Sequence, residues 1–104
     1  MNLFYDTEAL QDLAEIFDYF DLHSETVADR FYVAVEKTVQ QLLNFPELGE
    51  RCRFHRPEAK GMRVWQVSGF SNYLIFYRIN GDMLEVKRFL HGARNYAKIF
   101  NKKQ

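Results

Sequence analysis

Arginine, lysine, histidine and tyrosine are the residues here best suited to chemistry, and the basic ones crowd into the second half. Arg51, Arg53, Arg56 and Lys60 stand close together, Arg63, Lys87 and Arg88 follow, and His91, Arg94 and Tyr96 complete the series. A guanidinium grips phosphate or carboxylate through two parallel hydrogen bonds, while His and Tyr stack on bases or move protons. The same side chains have structural uses: a solubilising loop for the first arginines, an ion pair with an acidic helix for Arg63, and a turn-fixing hydrogen bond for His91 before Gly92. Other chemistries lack their spacing. The five glycines stand eight to twelve residues apart and form no phosphate-cradling loop. His23, His55 and His91 are far apart in sequence and Cys52 is the only cysteine, so no metal-ligand pattern is legible and no cofactor is expected. Ser68 and Ser71 lack the flanks of a nucleophile elbow. The carboxylates are spaced as solvated helix faces rather than as a catalytic pair.

The elements that must position these groups divide the chain in two. After a short extended start over Asn2 to Tyr5, Asp6 and Thr7 can both cap a helix. Leu10, Leu13, Ala14, Phe17 and Phe20 recur at spacings of three and four, which predicts an amphipathic helix with Glu8, Asp12 and Glu15 on another face. Ser24 can cap a second helix carrying Ala28, Phe31, Val35, Val39 and Leu42, ended by Pro46 and Gly49. So short a connection around His23 requires an antiparallel helical hairpin. Arg51 to Lys60 then reads as a basic loop, Met62 to Val67 as a strand, and Ser68 to Asn72 as a turn. Tyr73 to Ile79 is nearly continuous in apolar residues, as expected of a central strand buried on both faces. Asn80-Gly81 signals a hairpin into Met83 to Leu90, where Leu84, Val86, Arg88 and Leu90 alternate with Met83, Glu85, Lys87 and Phe89. Tyr96 to Phe100 predicts a last helical turn. The order β-α-α-β-β-β predicts an α+β fold of two layers, an antiparallel sheet packed on one face by the N-terminal helical hairpin.

At 104 residues, the length fits one domain spanning 1–104, and the aromatic fraction of 16% supplies bulk for its core. No apolar run is long enough to cross a bilayer and no signal peptide is visible, so a cytoplasmic protein without membrane association is expected. The net charge of zero conceals a division. Residues 1–50 carry eleven acidic side chains against two basic ones, Arg30 and Lys37; residues 51–104 carry twelve basic against three acidic. Either one surface is prepared for a charged partner, or the halves neutralise each other in the fold.

Three stretches, Gly61-Met62-Arg63-Val64-Trp65-Gln66-Val67, Tyr73-Leu74-Ile75-Phe76-Tyr77-Arg78 and Leu90-His91-Gly92-Ala93-Arg94-Asn95, resemble the RelE/ParE toxin superfamily in order and spacing, most closely its ParE branch. Ala9-Leu10-Gln11-Asp12-Leu13 with Ile16 and Tyr19 is similar to that family's first helix, and Leu42-Leu43-Asn44-Phe45-Pro46-Glu47-Leu48-Gly49 to its helix exit. Asn95 stands where the family has Asp. The resemblance implies the toxin of a type II toxin–antitoxin pair. ParE-like members inhibit DNA gyrase without catalysis; RelE-like members cut mRNA on the ribosome. A ParD-like antitoxin is the implied partner, with operator DNA contacted only through it. Arg63, Trp65, Lys87, Arg88, His91 and Arg94 are the expected target- or antitoxin-binding residues. Were the protein a ribonuclease, Arg63, His91, Arg94 and Tyr96 would be catalytic. The residues favour gyrase: RelE's loop lysines have only arginines opposite them here, arginine is a poor general base, and the chain lacks the strong positive charge usual in ribosome-cutting members. A degenerate member that binds antitoxin without toxicity is the third alternative.

Overall fold

Only Ser24 separates α1 (Thr7–His23) from α2 (Glu25–Asn44). Its hydroxyl accepts the amide of Val27 at 3.3 Å, capping α2 as the sequence predicts. Phe20 meets Phe31 at 5.2 Å and Phe17 meets Tyr32 at 6.3 Å, so one helix is traversed backwards as the other runs forwards, as in an antiparallel hairpin. Asp6 occupies the N-cap position of α1 without a side-chain cap bond. Its carboxylate instead pairs with Lys87 at 2.9 Å.

The computed structural model describes residues 1–54, 56–92 and 99–100. The remaining elements are β1 (Asn2–Tyr5), β2 (Glu50–Arg51), a 3-10 turn at Pro57–Ala59, β3 (Met62–Val67), β4 (Phe70–Asn80) and β5 (Met83–His91). They form one sheet in the order β1-β5-β4-β3-β2. The predicted α+β architecture is present, with two refinements. A two-residue strand, Glu50–Arg51, overlaps the first residue of the predicted basic loop, and β1 runs parallel to β5, so the sheet is mixed rather than wholly antiparallel. The β4–β5 hairpin leaves the outer edge of β5 open, and β1 fills it through bonds from Asn2 N to Asp82 O and Asp6 N to Val86 O. At the hairpin tip only Gly81 has positive φ, at 62°, and Asp82 does not. The turn therefore centres on Gly81-Asp82, one residue later than Asn80-Gly81, with glycine first as a II′ turn requires.

The central strand is buried on both faces as expected: Ile75, Phe76 and Tyr77 are all fully enclosed. Ile75 and Tyr77 join the core beneath the helices, while Phe76 joins Ala59, Met62 and Leu90 on the opposite face, where Phe54, Ile99 and Phe100 also pack. Strict alternation along β5 fails. The ladder pairs Phe76 with Arg88 but Tyr77 with Val86, leaving Lys87 as an extra residue. This bulge puts Phe89 beneath the helices with Leu84 and Val86 and sends Leu90 to the other face.

The stripe on α1 is also rotated from the predicted one. Leu13 and Phe20 do pack on the core, but their companions are Ala9 and Ile16, and Leu10 and Ala14 are exposed. Small Ala9 lets the helix approach the sheet, and Asp12, predicted on the solvated face, is only 8% exposed because Arg88 draws it inward.

Glu85 gives the fold a testable acid response. Burial opposes its ionisation, but hydrogen bonds from Arg78 and Asn80 and the charge of Lys87 outweigh that, holding the carboxyl below its ordinary value of 4.5. A lowered carboxyl stabilises the fold above the unfolded-state value, and that contribution is lost as pH falls through the folded-state value. Glu85→Gln should therefore flatten the decline in melting temperature below about pH 4.5.

Candidate functional site

Arg63 lies on β3 opposite Tyr77, and both side chains grip the loop that leaves α2. Arg63 Nη1 donates to the carbonyls of Gly49 at 2.8 Å and Glu47 at 3.3 Å. Tyr77 donates its hydroxyl to Pro46 O at 2.6 Å and accepts the amide of Gly49 at 2.9 Å. Burial pushes the Tyr77 phenol up, against the Gly49 hydrogen bond and the Arg63 charge, so it remains a neutral donor at physiological pH. Gly49 has no room for a side chain: a Cβ there would stand 2.6 Å from the Tyr77 hydroxyl oxygen and 2.9 Å from Val64 O. Gly49→Ala should thus destabilise by about 1–3 kcal/mol through overpacking. Tyr77→Phe should cost a similar amount by leaving the buried Gly49 amide unsatisfied, about 1–3 kcal/mol. Urea titration of the two variants checks both.

The other predicted site residues are distributed over the sheet. Trp65 is half-buried against the core beneath the helices. Lys87 is held by Asp6, with Glu85 at 3.9 Å. Arg88 makes a two-pronged pair with Asp12, at 2.7 Å from Nε and 3.0 Å from Nη2. Of the two readings of the charge asymmetry, neutralisation within the fold accounts for these two cations. His91 stands edge-on to Tyr73 at 5.0 Å, in a depression shared with Asp12, Glu15 and Tyr19. Arg94 and Tyr96 lie outside the described residues, as does most of the predicted helical turn at 96–100.

Arg63 and His91 are not brought together. They pair with Tyr77 and Tyr73, on opposite sides of β4. At about 3.3 Å per residue and ~4.8 Å per strand, their Cα atoms are roughly 16 Å apart. Among the described residues no three His, Cys, Asp or Glu side chains converge as a metal site. Burial and then Glu50 push the Cys52 thiol up to about 11, so it is no nucleophile at neutral pH. No helix among the described residues is long and apolar enough to cross a membrane.

The sequence reading missed an apolar groove on the surface. The outer edge of β1 closes the sheet, and beside it Leu3, Leu10, Tyr32, Val39 and Leu43 line a groove of about 330 Å³ between β1 and the helical hairpin. Phe4 and Leu10 are each 51% exposed and Tyr32 48%. The apolar run Leu3-Phe4-Tyr5, on a strand with one free edge, was the available signal; placing Leu10 in the buried stripe concealed it.

A family model described as the ParE toxin of the type II toxin–antitoxin system parDE matches residues 3–96. The chain belongs to the ParE toxin family. It is therefore a type II toxin by family, in the branch of the RelE/ParE superfamily that its strand motifs resemble. This ParE-family chain is also similar to a solved structure from the chromosomal ParDE toxin–antitoxin system of P. aeruginosa. The TM-score is 0.71 at 18% identity, over 88% of this chain and 95% of that one. A second likeness, to a YafQ mutant from E. coli, has a TM-score of 0.52 at 16% identity, over 88% and 93% of the two chains. At these identities the likeness is one of fold. The comparison with curated proteins gave no match.

Proposed function

We propose that this ParE-family toxin is a single cytoplasmic domain that inhibits DNA gyrase by binding it, without catalysis, and that a ParD-like antitoxin neutralises it. The observation supporting binding over cutting is the separation of Arg63 from His91. A ribonuclease of the RelE kind needs cationic and proton-transferring groups around one phosphate. Here Arg63 is engaged by main-chain carbonyls about 16 Å from the histidine. The free edge of β1 and its apolar groove suit an antitoxin segment that adds a strand and seats apolar side chains beside it.

The test is expression from a tight promoter, followed by assays on purified toxin. Growth arrest with an SOS response, loss of gyrase supercoiling and intact mRNA on programmed ribosomes are expected. His91→Ala should leave toxicity within a few-fold. Codon-position-specific mRNA cleavage abolished by Arg63→Ala in a folded protein would replace this reading with the ribonuclease one. Full growth at high expression would identify a degenerate, non-toxic member.

A further inference from the structure

The only two basic side chains in residues 1–50, Arg30 and Lys37, line one groove. Seven residues apart on α2, they share a face about 10 Å apart along the axis. The groove, of about 420 Å³, lies between α2 and the β3–β4 turn, with Val33, Ala34 and Phe70 as its apolar floor and Ser68 and Gly69 as the far wall. Both cations are exposed, and neither makes an ion pair among the described residues. Arg78, Lys87 and Arg88 on the sheet, by contrast, are paired with carboxylates.

The groove is rigidly built. Buried Thr38 donates to Ala34 O at 2.7 Å and accepts the amide of Ser68 at 3.0 Å, tying the turn to α2. Phe70 is wedged edge-on against Phe20 and Phe31 at 5.6 and 5.1 Å. Val33, 48% exposed, presents its apolar side chain between the cations. A preformed groove costs a partner little ordering on the toxin side.

We propose that this groove binds a short acidic stretch of the antitoxin, with one apolar side chain on Val33 and Phe70 and carboxylates about 10 Å apart on Arg30 and Lys37. The proposal rests on the antitoxin reading above and adds a second contact on the opposite flank of α2 from the β1 groove. Charge decides the occupant. A nucleic-acid backbone needs a continuous basic stripe. This groove is two cations set in an acidic half, with Asp29 on its rim and net −9 over residues 1–50. Two localised carboxylates and an apolar anchor match it; a longer run of phosphates would find no cation beyond these two among the lining residues and would meet Asp29 on the rim.

The experiment measures binding of the cognate antitoxin to the full-length toxin at low and physiological salt. Arg30→Glu/Lys37→Glu should weaken affinity by about tenfold and remove much of the salt dependence, with an unchanged melting temperature because both residues are exposed. Val33→Ser should weaken binding by removing the apolar anchor while leaving both cations unpaired, and Arg30→Lys should largely retain it. A photo-crosslinker at position 33 should capture an acidic antitoxin peptide. Affinity within about twofold of wild type for the double reversal overturns this proposal and leaves the antitoxin reading standing. Capture of a basic peptide, or displacement of the antitoxin by single-stranded DNA or RNA, also overturns it. Failure of the wild-type toxin to bind any antitoxin overturns both.

Discussion

Phe31→Ala is expected to destabilise the protein by about 3–5 kcal/mol, enough to leave much of it unfolded at physiological temperature. Phe31 is fully buried at the centre of an aromatic cluster, with Phe20 at 5.2 Å, Phe70 at 5.1 Å and Tyr73 at 5.3 Å. These partners come from α1 and the first residues of β4, so collapse around the cavity would have to move a helix and the sheet together. At about 4–8 °C per kcal/mol for a domain of this size, the melting temperature should fall by roughly 15 °C or more. Phe17→Ala is the control. Phe17 is half-buried and, among the described residues, its one aromatic contact is the exposed ring of Tyr32, so its removal should cost about 1 kcal/mol. Equal losses for the two would mean that α1 buries the face its Leu10–Phe17 stripe suggests rather than the Ala9–Ile16 face.

That contrast marks the boundary of what the sequence reveals. The helices were legible because their apolar residues recur at helical spacing and Ser24 stands between them. The central strand was legible because Tyr73 to Ile79 is apolar on both parities. The rotation of α1 was not, since it depends on Asp12 facing inward, and a carboxylate turns inward only for a partner many residues away. The bulge at Lys87 was hidden for a related reason: alternation in one strand does not reveal a register shift imposed by its neighbour. The parallel placement of β1 likewise depends on which sheet edge remains open after β3, β4 and β5 have paired.

The candidate site was legible as residue types but not as a constellation. Arg63 looked like a phosphate ligand because nothing in sequence places the carbonyls of Glu47 and Gly49 within its reach. Lys87 and Arg88 looked free because their partners, Asp6 and Asp12, lie about eighty residues earlier. The groove on α2 left a clearer trace. Two isolated cations seven residues apart in an otherwise acidic half must share a helix face, whatever packs beside it.

Breaking the Asp12–Arg88 pair is expected to produce the second large loss. Asp12 accepts three hydrogen bonds, from Arg88 Nε at 2.7 Å, Arg88 Nη2 at 3.0 Å and the Phe89 amide at 3.0 Å. It thereby fastens α1 to β5 immediately beyond the bulge. Those hydrogen bonds, then the charges of Asp12 and nearby Glu8 and Glu15, hold the Arg88 guanidinium in its charged form against the opposing effect of burial. Asp12→Ala leaves a guanidinium whose side chain is 17% exposed with only the exposed Glu8 carboxylate, 3.7 Å from Nη1, and orphans a buried amide, so a cost of about 3 kcal/mol is expected. Asp12→Asn keeps the shape and one acceptor but loses the charge, and should fall between Ala and wild type. The Asp12→Leu/Arg88→Met double variant should recover the charge-related part of the loss, because replacing both buried charges removes the guanidinium left without Asp12, while the Phe89 amide stays orphaned and keeps the variant below wild type. Thermal melts of the three variants check this, and an unchanged melting temperature for Asp12→Ala would reduce the pair to a surface contact. The outcome also governs how toxicity data are read. Arg88→Glu should reduce toxicity and antitoxin binding together by unfolding the protein, whereas Arg30→Glu should leave the melt unchanged and alter antitoxin binding alone.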